Sequence, residues 1–162
     1  MNSNDKLDHA KWLLERQLQW IAAAEVKIGF VITLDLAMLA ALGAIIMDME
    51  KISIEVGLLF LLTTAILFAS ILSAAESFKP NLSGPEKSLI FFGKIGCEAG
   101  DVFLDSYKQQ TEADYLNDCL LQVHRNAQIA TAKFQSVNLA IRWGVVVLPL
   151  WFVVIFIAAF NR

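Results

Sequence analysis

The sequence predicts an all-α integral membrane protein with three transmembrane helices and a cytoplasmic helical stalk or bundle. Of its 162 residues, 57% are hydrophobic and 18% are charged, and the mean hydropathy is +0.56. The chain is therefore more apolar than an average soluble domain. The apolar residues concentrate in three windows, 28–47, 56–75 and 143–160, each close to the ~20 residues that a helix needs to cross a bilayer. The first window holds a single charged residue, Asp35, and the other two hold none.

The windows divide the chain into four segments. We expect a cytoplasmic amphipathic helix over 1–27, a transmembrane helical hairpin over 28–75, a cytoplasmic helical region over 76–142, and the third transmembrane helix with a short external tail over 143–162. Basic residues cluster in 1–27 and 76–142, whereas the loop between the first two spans has only Lys51 and the tail only Arg162. The positive-inside rule then places the N-terminus in the cytoplasm and the C-terminus outside. The polar start of the chain argues against a cleaved signal peptide.

Two apolar stripes with helical spacing precede the first and third windows. Both alternate steps of three and four residues, so each helix should continue unbroken into its span. The first stripe consists of Leu7, Ala10, Leu14, Gln17, Ile21, Ala24 and Ile28, and the second of Leu116, Leu120, Val123, Ala127, Ala130, Phe134, Val137 and Ile141. We expect these stripes to pack on each other or on other subunits, which predicts a homo-oligomer. The interface candidates are Leu116, Leu120, Val123 and Phe134.

The second span is joined to the next long helix by "ESFKPNLSGPEKSLIFFGKIG", in which Pro80, Asn81, Gly84 and Pro85 mark turns. Its "SLIFF" fits a short strand or a hydrophobic loop, and we favour the loop because a lone strand has no partner. A short helix is expected over 97–110. The next helix should begin at "TEAD", with Thr111 as its N-cap.

Several motifs resemble the transmembrane Pycsar effector family of bacterial antiphage defence. They are "AAEVKIGFVITLDLAMLAAL" at the first span, "SLIFFGKI" after the linker and "QIATAKFQSVNLAIRWG" before the last span, and the resemblance covers nearly the whole chain. It implies an effector in the bacterial inner membrane that responds to a cyclic nucleotide, such as cyclic CMP or cyclic UMP, made by a partner nucleotide cyclase. It further implies that the activated effector impairs the membrane, so that the infected cell stops growing.

The residues themselves argue against an enzyme. The chain has two histidines, no nucleophile motif, no phosphate-binding loop and no clustered carboxylates, so we expect no catalytic residue, no metal and no bound cofactor besides an activating ligand. A nucleic-acid partner is not expected either. Cys97 and Cys119 do not have the spacing of zinc ligands and are interpreted as reduced thiols.

An anionic ligand has one candidate site. Arg125 and Lys133 lie eight residues apart on one helix face, where they could hold a phosphate while Phe91 or Phe92 stacks on a base. The alternative is that both are solvated charges that pair with Asp114, Asp118 or anionic lipid.

Three further charged residues lie in or near the first span. Glu25 and Lys27 suit an interfacial anchor or a bundle-facing ion pair. Asp35 lies about 10 Å below the cytoplasmic edge, so it needs a partner, for which Ser70 or the carbonyl of Val145 is at the right depth. Asp35 either ties helices together or has a role in a pore. In the second case the Asp35 carboxyl groups of several subunits, with Ser70, face a shared axis that becomes hydrated when the effector opens.

The sequence is also compatible with two other functions. The chain could be a small structural or adaptor protein that recruits a cytoplasmic partner through its stalk, or a small transporter with Asp35 as its relay.

Overall fold

The computed structural model describes residues 3–49, 52–79, 83–85 and 87–160, and the regular secondary structure within them is entirely helical. In chain order these are α1 (Ser3–Met47), α2 (Ile54–Ala75), a 3-10 turn (Glu76–Phe78), α3 (Phe92–Ile95), α4 (Gly100–Gln109) and α5 (Glu112–Phe160). The predicted all-α class is confirmed. Lys51, Pro80, Asn81 and Arg162, on which parts of the sequence interpretation depend, lie outside the described residues.

Within the described residues, three helices are long and apolar enough to cross a membrane. They are α1, α2 and α5, which contain the three predicted windows. At 1.5 Å per residue α1 is about 68 Å long and α5 about 74 Å, whereas a bilayer core is about 30 Å thick. Each of these two helices therefore continues well beyond its span, as the stripes predicted.

The chain forms two compact units, and α1 and α5 contribute to both. The first unit comprises Met1–Ala23 and Pro80–Ala132, and the second comprises Ala24–Lys79 and Lys133–Arg162. The second unit contains the three apolar windows. It therefore carries the membrane-spanning part of the protein.

The second unit is a three-helix bundle with two apolar clusters. One cluster consists of Met38, Leu42, Leu67, Val147 and Val154. The other consists of Ile28, Ala74, Val137 and Ala140. Each cluster takes residues from α1, α2 and α5, and the alanines let the helix backbones approach closely, as small residues do in membrane bundles.

The first unit contains the start of α1, the segment 83–91, α3, α4 and the start of α5. α5 begins with a capping box: Thr111 Oγ1 accepts a hydrogen bond from the Asp114 backbone N–H at 3.2 Å, and Asp114 Oδ2 accepts one from the Thr111 N–H at 3.0 Å. The predicted N-cap is confirmed. The "SLIFF" stretch is a loop as predicted, except that Phe92 already begins the four-residue α3.

Candidate functional site

A buried polar cluster fixes the loop before α3 against α5. Ser88 Oγ accepts hydrogen bonds from the backbone N–H groups of Ile90 at 3.2 Å and Phe91 at 3.0 Å, and from Gln122 Nε2 at 3.0 Å. Asp118 Oδ2 accepts a hydrogen bond from the backbone N–H of Leu89 at 2.8 Å. Because these hydrogen bonds are made by buried side chains, they hold the loop in one register on α5.

Two aromatic residues predicted to stack on a base have different environments. The Phe91 ring packs against Gly84 and Gly93: a Cβ added at Gly84 would overlap the ring, and one at Gly93 would lie 2.7 Å from it. Phe91 therefore fills space that the two glycines leave open. Phe92 is 67% exposed, with its ring centroid 5.0 Å from that of Phe91. Base stacking by either ring stays a prediction.

Arg125 ties α5 to the segment that precedes the loop. Its Nε donates to the Ser83 carbonyl at 3.0 Å, one terminal nitrogen contacts Ser83 Oγ, and the other donates to Gln128 Oε1 at 2.9 Å. Arg125 lines a groove of about 470 Å³ together with Ser83, Gly84, Pro85, Leu121 and His124. The accessible surface of this groove is largely apolar.

A second cavity of about 470 Å³ lies in the same unit and shares Leu121 with this groove. Most of its lining residues have polar side chains, and they include amides and carboxyl groups from α4 and α5 and residues of the segment 87–89. The lining residues are Lys87, Ser88, Leu89, Glu98, Ser106, Gln109, Gln110, Asp114, Asn117, Asp118 and Leu121. Asp118 is 4% exposed, and its Oδ1 has no hydrogen-bond partner in the structure.

Lys133 belongs to the second unit, unlike Arg125, and its ammonium is held there. It donates to the Ser77 carbonyl at 2.8 Å and forms an ion pair with Glu25 at 3.1 Å. The Lys133 side chain is only 14% exposed. A joint role of Arg125 and Lys133 in phosphate binding stays a prediction.

The charged residues at the entry of the first span face the bundle. Besides the Glu25–Lys133 ion pair, the Lys27 ammonium lies 5.0 Å from the centroid of the Phe134 ring, a cation–π contact. Both contacts join α1 to α5. This geometry matches the bundle-facing alternative for Glu25 and Lys27.

Asp35 is buried at 2% exposure, and its side chain lies beside that of Ser70. Ser70 Oγ in turn lies 3.1 Å from the Ala140 carbonyl, to which it can donate. The carboxyl group on α1 is thereby connected to α5 through a hydroxyl on α2, and Asp35 Oδ2 has no partner. Nearby, Trp151 Nε1 donates to the Met38 carbonyl at 3.1 Å. The predicted Asp35–Ser70 contact is present, and its role in a pore stays a prediction.

The predicted interface residues of α5 are not all buried. Leu116, Val123 and Phe134 are half-buried, and Leu120 is 45% exposed. Other exposed apolar side chains in the first unit lie on α1, α3, α4 and α5; they are Trp12, Leu18, Trp20, Phe92, Val102, Leu104, Tyr107 and Leu121. The oligomer that these side chains would serve stays a prediction.

Sequence reasoning missed the buried polar cluster of Ser88, Asp118 and Gln122. The sequence pattern predicts Asp118 only as a partner for a cation, although it and Gln122 are four residues apart on one face of α5. That spacing was the available signal. Among the described residues, no group of three or more His, Cys, Asp or Glu side chains is arranged to hold a metal ion.

Comparison with known families gives one match. A model of the Pycsar effector protein domain matches residues 9–160, nearly the whole chain. No curated protein and no solved structure matches the chain.

Proposed function

The chain belongs to the Pycsar effector family, a family of transmembrane effectors of antiphage defence, and we propose that it is activated by a cyclic nucleotide, assembles into oligomers and impairs the bacterial inner membrane. The observation that carries this proposal is the extent of the family match, which includes all three spans and most of the first unit. A cyclic pyrimidine nucleotide, cyclic CMP or cyclic UMP, is the proposed activating ligand. A nucleotide cyclase is its proposed source.

Oligomerisation is supported by the exposed apolar side chains of the first unit. Trp12 and Trp20 are each about half exposed, and the Arg16 guanidinium lies within 6 Å of both rings, at 5.9 and 5.8 Å from their centroids. Tryptophan and arginine are the residue types that most often carry the binding energy of protein interfaces. A surface of this kind on a soluble unit favours association with further copies of the chain.

Membrane impairment is supported by the polar connection inside the second unit. A carboxyl group, a hydroxyl and a backbone carbonyl meet at Asp35, Ser70 and Ala140 within an otherwise apolar bundle. Polar groups at this depth are costly in lipid and generally mark sites with a function. A change in helix packing that separates them would expose polar groups, which attract water into the bilayer core.

A growth assay tests the proposal. Cells that express the chain together with an active pyrimidine nucleotide cyclase should stop growing and lose membrane potential, whereas cells with a catalytically inactive cyclase should grow normally. The purified protein in liposomes should release a trapped dye only when cyclic CMP or cyclic UMP is added. Equal toxicity with both cyclases would contradict activation by a nucleotide.

Cross-linking in native membranes tests the assembly separately. We expect species larger than a monomer, with their yield reduced by the paired change Trp12→Gln and Trp20→Gln. The matched control is Trp143→Gln in the second unit, which should leave the yield unchanged. Recovery of monomer alone from the wild-type chain would argue against assembly.

A further inference from the structure

We propose that Arg142 binds the phosphate of a phospholipid that is drawn below the headgroup plane, so that the membrane is thinned beside α5. This binding requires only that the second unit spans a membrane, and it is independent of the activating nucleotide. The depths of α1, α2 and α5 within that unit lead to it.

Contacts between the helices show which residues lie at the same depth in the second unit. At one end, which we call the charged end, Lys133 of α5 donates to the Ser77 carbonyl of α2 and pairs with Glu25 of α1. Seven residues further along α5, the Ala140 carbonyl accepts a hydrogen bond from Ser70, which is also seven residues from Ser77. The equal spacing shows that α2 and α5 stay in register over this stretch, which is about 10 Å long.

Arg142 lies deeper than the start of the apolar windows of the other two helices. It is nine residues after Lys133, which is about 13 Å along α5. From the charged end, the windows of α1 and α2 begin at residues 28 and 75, within three residues of Glu25 and two of Ser77. Arg142 therefore lies about 9 Å inside the apolar part of the bundle, although the apolar window of α5 itself begins only after it.

Apolar side chains on the outside of the bundle support this depth. Phe30 on α1, Leu72 on α2 and Leu139 on α5 all lie between the charged end and the depth of Arg142, and all three are exposed. Exposed apolar side chains on three neighbouring helices are favourable in lipid and unfavourable in water. The hydrocarbon of the membrane therefore extends past Arg142 towards the charged end.

Arg142 is the last residue of a polar stripe on the outer face of α5. Gln135, Asn138 and Arg142 are exposed and are spaced by three and four residues, so they lie on one face of the helix. Beyond Arg142 the same face continues with Val145 and Val146, which are exposed and apolar. The stripe therefore runs from the charged end into the apolar part of the bundle and stops at Arg142.

The counter-charge for Arg142 has to come from outside the chain, because an unpaired arginine in hydrocarbon is costly. The acidic residues in the described part of the second unit lie at the two ends of the bundle or are buried between the helices; they are Glu25, Asp35, Asp48, Glu55 and Glu76. Further copies of the chain would lie at the same depth in the same membrane, so none of these residues would reach Arg142 from a neighbour. The anion that the membrane itself supplies is the phosphate of a phospholipid.

A phosphate can meet Arg142 from the charged end. Helical side chains point towards the N-terminus of their helix, which on α5 is the direction of the charged end. The guanidinium group binds phosphate oxygens through two parallel hydrogen bonds, and the amides of Gln135 and Asn138 are further donors along the path of the headgroup. Membranes accommodate a charge at this depth by extension of its side chain towards the surface and by local thinning. The leaflet at the charged end should therefore be thinner beside the polar stripe than around the rest of the bundle.

Solid-state NMR tests the contact with phosphate. The full-length protein is labelled with ¹³C at the guanidinium carbon of arginine and reconstituted into vesicles of phosphatidylcholine and phosphatidylglycerol, and the dephasing of its ¹³C signal by lipid ³¹P is measured. Arg142→Lys removes one labelled carbon and retains the positive charge. We expect the signal that this variant lacks to be strongly dephased in the wild type, because its carbon lies within one hydrogen bond of a phosphate.

Arg125→Lys is the matched control, because the Arg125 guanidinium bonds Ser83 and Gln128 in the first unit. The signal that this variant lacks should show no dephasing. If the signal lost in Arg142→Lys is equally free of dephasing, no phosphate lies at Arg142 and the proposal is overturned.

Nitroxide labels test the depth independently of any change at Arg142. Phe30→Cys and Leu72→Cys can carry a label without repacking the bundle because both side chains are exposed, and the exposed native thiol is removed by Cys97→Ser. We expect oxygen, which partitions into hydrocarbon, to relax both labels more than a water-soluble nickel chelate does. Lys79→Cys at the charged end is the control and should show the opposite order.

Stronger relaxation of the labels at positions 30 and 72 by the nickel chelate would place the headgroup plane at Arg142 and overturn the thinning. Neither experiment contains a nucleotide, so a negative result in either leaves the proposed function standing. Failure of cyclic CMP and cyclic UMP to release dye from liposomes would contradict the proposed function and leave the phosphate site standing.

Discussion

The buried contact between Asp35 and Ser70 allows a quantitative prediction about the stability of the bundle. Ser70→Ala removes the hydroxyl that contacts Asp35 and that donates to the Ala140 carbonyl. Ala140 lies within α5, whose own backbone hydrogen bonds remain. Asp35 is 2% exposed and already has one unpaired oxygen, so after the change its whole carboxyl group lacks a side-chain partner.

The expected cost follows from this difference. Stranding a buried polar group costs about 1–3 kcal/mol, whereas an interhelical hydrogen bond in a membrane protein contributes on average only about 0.6 kcal/mol. Ser70→Ala should therefore lower the free energy of unfolding by about 1–3 kcal/mol. In an Asp35→Leu background no carboxyl group is left to strand, so the same change should cost only about 0.5 kcal/mol. The two changes should therefore be coupled by about 0.5–2.5 kcal/mol.

Reversible unfolding in mixed detergent micelles, measured for the wild type, both single variants and the double variant, gives this coupling energy. Ser73→Ala on the same helix is the matched control, because the Ser73 hydroxyl bonds only the carbonyl of Ala69 within α2, at 2.7 Å. It should show no coupling to Asp35→Leu. If Ser70→Ala costs the same in both backgrounds, the reasoning about a stranded carboxyl group is refuted.

Liposome leakage separates a structural from a functional role of Asp35. Asp35→Asn retains the size and a donor for Ser70 but removes the ionisable group, whereas Asp35→Leu removes both. If the Asp35 carboxyl group becomes hydrated in the open state, the Asn variant should assemble normally but show altered leakage. The Leu variant should then cause no leakage. Equal leakage from all three proteins would limit Asp35 to packing.

Two other sites give predictions that stability measurements can check. Lys133→Met breaks the ion pair with Glu25 and leaves the Ser77 carbonyl without its donor, so the free energy of unfolding should fall by about 1–2 kcal/mol. Lys133→Gln retains a donor for that carbonyl and should cost about half as much. Equal losses from the two variants would show that the hydrogen bond contributes nothing. Gly84→Ala places a Cβ on the Phe91 ring, so the loop should shift, proteolysis near it should accelerate, and stability should fall by about 1–3 kcal/mol. Gly100→Ala, whose Cβ meets nothing within 4 Å, is the control, and equal proteolysis of both variants would argue against the overlap.

Several features of this protein were determined by local sequence alone. The three apolar windows set the number of spans, because crossing a bilayer requires about 20 apolar residues in a row. The steps of three and four residues predicted that α1 and α5 continue beyond their spans, and "TEAD" predicted the capping box at Thr111. The sequence also predicted that Asp35 has a polar partner on a neighbouring helix, because a lone carboxyl group in an apolar helix requires a partner at its own depth.

The partners of most polar side chains were decided by the tertiary structure. From their spacing, Arg125 and Lys133 are predicted to lie on one face of α5 and to play the same role. In the structure Arg125 bonds Ser83, 42 residues away, whereas Lys133 bonds Ser77, 56 residues away. Asp118 contacts the backbone of Leu89 across 29 residues. Helical periodicity specifies which face a side chain occupies, but the residue that faces it depends on how distant segments pack, and a hydrogen bond requires that position to within a few tenths of an ångström.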